Sequence, residues 1–299
     1  MRDESPTKDE RQQGRPVVLC ADDYALAPGV SRGILRLLDL KRISASGAMT
    51  NCPNWRTLAG EFRAFNGAAD LGVHLNLTCG APVGRMPTVA PDSRLPSLAT
   101  VARLAFLSRS ARREIIDEIA RQLDAFEEAM GRPPDFVDGH QHVHALPGIG
   151  GALAALLGSR YGAQAGFYVR DPADRLGAIL SRPASGKALA VAWLAARFGV
   201  ALRHAGLRSN QGFSGFSAFD PKVDYGDEFS GALRSLGKAP LIMCHPGEID
   251  PALRAIDPVV ETRPHELDFF AGQRFADACA AAGVFTARMA RVAESASNS

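Results

Sequence analysis

No two of the five cysteines, Cys20, Cys52, Cys79, Cys244 and Cys279, form a CxxC pair. An odd count without such a pair argues against a disulfide framework and against a thiolate zinc knuckle, and it predicts a reducing, cytoplasmic setting. No run of 18 apolar residues is present, so no membrane span is predicted. The opening MRDESPTKDERQQGRP is charged and has no apolar h-region, which predicts no secretory leader. Neither sign of charge dominates: 34 Lys and Arg stand against 32 Asp and Glu, a net charge of +2. No basic stripe interleaved with aromatics stands out, and no nucleic-acid partner is expected. Nothing in the chain fixes an oligomeric state, and a homodimer is admitted.

What is present is ordinary globular composition. The 299 residues are 46% hydrophobic and 22% charged, enough chain for one large domain or two ordinary ones. Residues 1–15 read as a disordered polar tail, 16–290 as a single catalytic domain, and 291–299 as a C-terminal tail. PVVLCADD is a short apolar run ending in acids, a buried strand. APGVSRGILRLLDLKR follows with Val30, Ile34, Leu37 and Leu38 at helical spacing. ISASGAMTNCP reads as a strand with a small-residue face, and DLGVHLNLT as another, with a helix between. This alternation predicts a parallel sheet with helices packed outside it. Residues 78–99 read as a long proline-rich loop. SARREIIDEIARQLDAFEEAM is an amphipathic helix stopped by Gly131. DFVDGHQHVH reads as the next strand, 170–207 as a helical insertion or lid, RSNQGFSGFSAF as loop, LIMC as a strand ending at His245, and GVFTAR as the last strand.

The ionisable residues collect at one kind of place. Asp22 and Asp23, His74, Asp138 with the histidine cluster, and His245 all stand at or just after the C-terminal ends of apolar strands. In parallel sheets and barrels that edge carries the active site. A carboxylate with two imidazoles is a common catalytic metal set that leaves positions open for water and substrate. Alternate residues of a strand share a face at a spacing of about 6.6 Å, so His140, His142 and His144 are expected to point the same way. Only the one nearest the catalytic end is then expected to bind an ion directly. Each piece has a plainer reading alone. Asp22 and Asp23 could be a helix cap or turn, His74 a satisfied core histidine, and His245 before Pro246 a turn residue.

Taken together, ADDYALAPGV, LGVHLNLT, DGHQHVHALP, RSNQGF and LIMCHPGE resemble the YdjC family of carbohydrate deacetylases, over about residues 16 to 290. That family includes chitooligosaccharide deacetylases and the hopanoid-associated HpnK proteins. The resemblance implies an α/β, (β/α) barrel-like fold, a distorted TIM-type barrel. It implies a hydrolase that removes the N-acetyl group from an N-acetylated sugar or oligosaccharide, of chito-oligosaccharide or hopanoid or other glycolipid-linked type. It also implies a divalent ion, Mg2+ or Zn2+, held by Asp23, His74 and His140, with Asp22 as base. The family's CHP histidine falls on His245, expected to be the general acid. Asp138 is expected to orient a ligand imidazole, and Arg208 and Gln211 to grip sugar hydroxyls. Where the family usually reads Asp-Asp-Phe-Gly, this chain has Tyr24 and Ala25, and Ala25 is expected to alter the backbone near the ion, because Gly permits conformations that Ala avoids. The rival readings are a metal-dependent phosphoesterase, a glycosidase and a non-catalytic metal-binding carbohydrate sensor.

Overall fold

The computed structural model describes residues 14–297. Nearly all of the predicted N-terminal tail therefore lies outside the described residues. The strands are β1 (Arg15–Tyr24), β2 (Ala45–Ala48), β3 (Asp70–Leu75), β4 (Phe136–Gly139), β5 (Tyr168–Val169), β6 (Arg208–Ser209), β7 (Phe213–Ser214), β8 (Leu241–Cys244) and β9 (Val284–Thr286). Eight run in the order β6-β5-β4-β3-β2-β1-β8-β7, with β9 paired to the start of β1. All the ladders are parallel.

The two outermost strands, β6 and β7, are separated in sequence only by Asn210, Gln211 and Gly212. Three residues cannot span a flat eight-strand sheet, so the sheet must curl until its edges nearly meet. The result is the barrel-like α/β fold that the resemblance implies. Inside the curl, Val18, Cys20, Phe136, Tyr168, Phe213, Leu241 and Met243 form one core cluster, and the larger core lies between sheet and helices.

The helix Arg109–Met130 shows how local chemistry sets the elements. Ser108 caps it by accepting from the Ala111 N–H, and Gly131 ends it at φ 69°. Its Ile115, Ile119, Leu123 and Phe126 are buried, one face of a helical repeat.

Four expectations change. The histidine run is not strand: β4 stops at Gly139, and His140–Ala145 is a tight 3-10 turn in which Gln141 and His142 take positive φ. RSNQGFSGFSAF is not all loop, since it carries β6 and β7. Residues 170–207 are helical, but they form the crossover between neighbouring parallel strands β5 and β6. The C-terminal segment is not a tail either. Met289–Ser297 is a helix whose Met289 and Val292 are buried in the barrel cluster, and the Met289 N–H bonds Asp70 at the start of β3. This helix closes the end of the barrel opposite the strand C-termini.

Candidate metal centre

Two adjacent aspartates at the end of an extended strand would face opposite ways. Here the β1–β2 register slips between Ala21 and Tyr24, and Asp23 takes φ 73°. This irregularity re-aims both carboxylates toward the space above the barrel. Ala25 sits at φ 71°, the left-handed region that glycine favours. The expected consequence of Ala at this position is thus a local conformational cost, with the turn itself kept; the Ala25 N–H bonds Ser31 Oγ at 3.0 Å.

His74, on β3, faces Asp138 on β4, its register partner. Asp138 Oδ1 lies 2.7 Å from His74 Nδ1, which leaves Nε2 aimed at Asp23 Oδ1, 3.3 Å away. Gly47 on β2 makes room for this pair: a Cβ there would come within 3.0 Å of His74 Cβ and 3.2 Å of Asp138 Oδ1. His140 opens the turn after β4, and its Nδ1 is 3.0 Å from the same Asp23 Oδ1. Asp138 therefore steadies His74, not its near neighbour His140.

Asp23, His74 and His140 each offer one donor atom, all within 4.8 Å of one another. Their chemistry suits a divalent cation. The electrostatics agree. Burial alone would discharge His74, yet the carboxylates of Asp138 and Asp22 outweigh it and push its pKa up to about 10. A pocket that holds an extra proton this firmly stabilises positive charge at Nε2, and a cation can take the proton's place. A second cluster, Cys20, Asp22 and Asp138, also converges, but the Arg170 guanidinium already fills it.

Two buried arginines, which the sequence did not single out, organise the aspartates. Arg170, the residue after β5, grips Asp22 through both terminal nitrogens at 2.7 and 2.5 Å. Its Nη2 is also 2.5 Å from Asp138 Oδ2, an ion pair by distance without hydrogen-bond alignment. Arg263, at the start of a helix, holds Asp23 Oδ2 at 2.7 Å and Asp257 at 2.6 Å. Asp23 thereby keeps only Oδ1 for the two imidazoles. Burial pushes both Asp22 and Asp23 toward neutrality, but Arg170 and His74 on Asp22, and His140 and Arg263 on Asp23, hold both well below the usual carboxylate range.

His245 follows β8 and places Nε2 at 3.9 Å from Asp22 Oδ2, too far for a hydrogen bond. Its main-chain N–H bonds Glu266 at 2.6 Å, and its ring meets Phe219 edge-on. Burial lowers its pKa to about 4 against the opposing pull of Asp22 and Asp23. The His140 and His245 side chains, 14% and 15% exposed, are the site's solvent-facing groups, so a substrate meets these two first.

The other candidates fall elsewhere. His142 packs among Phe213, Phe216 and His144. His144 sets Nε2 2.9 Å from the Arg170 carbonyl and so supports the backbone that carries that arginine. Arg208 is in register with Tyr168, two residues below Arg170, and lines a cavity beside the C-terminal helix at the closed end. The residue that rises to the catalytic edge on this strand is Asn210, which accepts from the Asp171 N–H. Gln211 is exposed and bridges Ala239 through its backbone. The structure thus gathers Asp22, Asp23, His74, His140 and His245, and leaves Arg208 and Gln211 outside.

Comparison with known proteins gives a consistent answer. The family model for YdjC-like protein matches residues 16–281. A carbohydrate deacetylase of Mus musculus is 30% identical over 247 residues, 77% of each chain. A chitooligosaccharide deacetylase of Escherichia fergusonii is 29% identical over 249 residues, 80% of this chain and 84% of its own. A chitooligosaccharide deacetylase of Yersinia enterocolitica is 33% identical over 133 residues, and there the match spans about half of the relative, 52%. Among solved structures, a protein of Enterococcus faecalis V583 superposes with a TM-score of 0.68 at 19% identity, over 93% of this chain and 99% of its own, which supports the fold.

Proposed function

Because the chain belongs to the YdjC-like family, we propose that it is a metal-dependent deacetylase that hydrolyses the N-acetyl group of an N-acetylated sugar or oligosaccharide. The observation that carries this reading is the convergence of Asp23, His74 and His140 beside an ionised Asp22 and a neutral His245. Asp23, His74 and His140 would hold the cation, Mg2+ or Zn2+, which would acidify water and polarise the acetyl oxygen.

The chain's own residues supply the rest. Asp22 accepts the proton of the attacking water. Arg170 keeps it ionised, always ready as an acceptor though a weak one. Arg170 also holds Asp22 in place through both carboxylate oxygens. His245 is neutral at rest, so it takes from Asp22, 3.9 Å away, the proton that the water gave up and passes it to the departing amine, negative charge growing on the substrate raising its proton affinity for that transfer. Asp138 fixes the tautomer of His74, and Arg263 occupies the second oxygen of Asp23.

A glycosidase has no use for this histidine set, and the site's two arginines are both engaged with aspartates, which leaves little to grip a phosphate ester. The test is acetate release from N-acetylglucosamine oligomers, with EDTA and then with added Mg2+ or Zn2+. Chelator-sensitive release restored by one cation supports the reading. Release that survives complete metal removal sinks it.

A further inference from the structure

Two apolar helices lie at the surface. The helix Leu98–Leu107, LATVARLAFL, buries Val101 and Ala105 and leaves Phe106 68% and Leu107 71% exposed. The helix Ser185–Leu194, SGKALAVAWL, buries Ala188 and leaves Trp193 78% exposed. Just before it, Leu176 and Leu180 stand four residues apart on one helical face, both exposed. A helix apolar on most sides is ordinarily covered, and clustered exposed apolar side chains mark a surface that meets something. Among the described residues no single helix is long and apolar enough to cross a membrane.

Both helices adjoin the catalytic edge. Leu98–Leu107 packs on the turn His140–Ala145. Phe198, just beyond Ser185–Leu194, meets His144 of that turn at 5.4 Å between ring centroids. Lys187 lies 4.1 Å over the ring of Phe219, which in turn contacts His245.

The charge around them is one-sided. Residues 93–113 contain five arginines and no acid, and residues 176–203 contain Arg182, Lys187, Arg197 and Arg203 and no acid, with Arg182 paired to Asp174 just outside. The rest of the chain holds 25 of the 34 basic residues against all 32 acidic ones. Acids are thus excluded from the two segments that expose apolar side chains, in a chain whose overall charge is nearly balanced.

We propose that these two helices dock the protein on an anionic lipid bilayer, on the same side of the molecule as the mouth of the site. Phe106, Leu107 and Trp193 enter the headgroup–acyl boundary, while Arg109, Arg113 and Arg197 meet the lipid phosphates. Tryptophan is the side chain most at home at that depth. A second copy of the chain fits less well. A two-fold interface sets one patch against itself, and here it would set acid-free basic segments against each other. A nucleic acid would satisfy the arginines but offer the exposed leucines only phosphate and sugar.

The experiment uses the full chain and vesicles of phosphatidylcholine with and without phosphatidylglycerol. The expected result is co-sedimentation with the anionic vesicles alone, reversed by salt. The chain has two tryptophans, and Trp55 is 1% exposed, so a blue shift of emission on vesicle binding reports Trp193. Trp193→Phe should bind but lose that shift. Leu107→Glu with Trp193→Glu, both at exposed positions, should weaken partitioning by roughly tenfold or more with unchanged melting and unchanged turnover on a soluble substrate. Failure to sediment at low salt overturns the proposal. So does a dimer in ultracentrifugation that shields Trp193 without lipid, and so does vesicle binding that neither headgroup charge nor the double substitution alters. None of these outcomes depends on whether the site deacetylates.

Discussion

The two ends of the barrel are built from the same materials, buried carboxylates and arginines, and put them to opposite uses. At the closed end, Asp70 accepts from Arg288, from the Met289 N–H at 2.7 Å and from Tyr168. Its neighbour Asp135 accepts from the Leu71 N–H and from Arg132. Both carboxylates tie strands to the helices and loops that cover them. At the catalytic end, Asp22 and Asp23 are also gripped by arginines, but Asp23 Oδ1 is shared by two imidazoles, and His245 Nδ1 and Arg263 Nη1 are buried without a partner. Burial is the largest influence on all three aspartates. At Asp70 it wins and raises the pKa, whereas at Asp22 and Asp23 the surrounding positive charge wins and lowers it. One end spends its carboxylates on tying strands to their cover, and the other gathers two imidazoles and two arginines around a pair of ionised aspartates.

The largest expected effect comes from removing the cation that two catalytic-end carboxylates share. Arg170→Met leaves Asp22 and Asp138 buried without it, and should cost about 3–5 kcal/mol in a denaturant titration, with turnover lost. A loss under 1 kcal/mol would mean that the network is not the buried one described. Next is Asp22→Asn, expected to retain the metal by elemental analysis while kcat falls by about 10²–10⁴. Near-native turnover in that variant would remove Asp22 from the base role. Smaller again is Asp138→Asn, which leaves every proposed ligand in place and should weaken metal binding by about 10–100-fold in calorimetry, through loss of the His74 tautomer. Unchanged affinity would show that the Asp138 contact is structural, like those at the closed end.

How much of this could be read in the sequence follows from element length. β1, β3, β4 and β8 are apolar runs of four to ten residues, long enough to register, and each delivers a site residue where its run ends. β5, β6 and β7 have two residues each and carry no periodicity, so Arg170 passed as the first residue of a helical stretch. For the same reason the loop motif that carries Arg208 gives no sign that it is a strand, whose register sets Arg208 beside Tyr168 and below Arg170. Arg263 lies 240 residues from its partner Asp23, and only the closure of the barrel brings them together. The HxHxH spacing misled as to geometry. It is a strand pattern in sequence, but positive φ at Gln141 and His142 folds it into a turn, which sends His140 to Asp23, His142 into the aromatics and His144 to the Arg170 carbonyl.

The smallest expected effect is the one that separates the two ends by sign. Asp70 has its pKa raised on folding, so the native state holds its proton more tightly than the unfolded chain. That contribution to stability is fully present below the unfolded value of 3.8 and is lost as pH rises through the folded one. Asp22 has its pKa depressed, so its contribution is present above 3.8 and is lost as pH falls through its folded value. Measured on metal-free protein, Asp70→Asn should cost roughly 1–3 kcal/mol through its hydrogen bonds, and the deficit should widen on acidification. The deficit of Asp22→Asn should narrow over the same range. Asp70→Asn should also leave metal affinity and turnover unaltered, since its partners Arg288, Met289 and Tyr168 all belong to the closed end. Deficits that move in the same direction with pH would mean that the two ends do not differ electrostatically, and the contrast that singles out the catalytic end would fail.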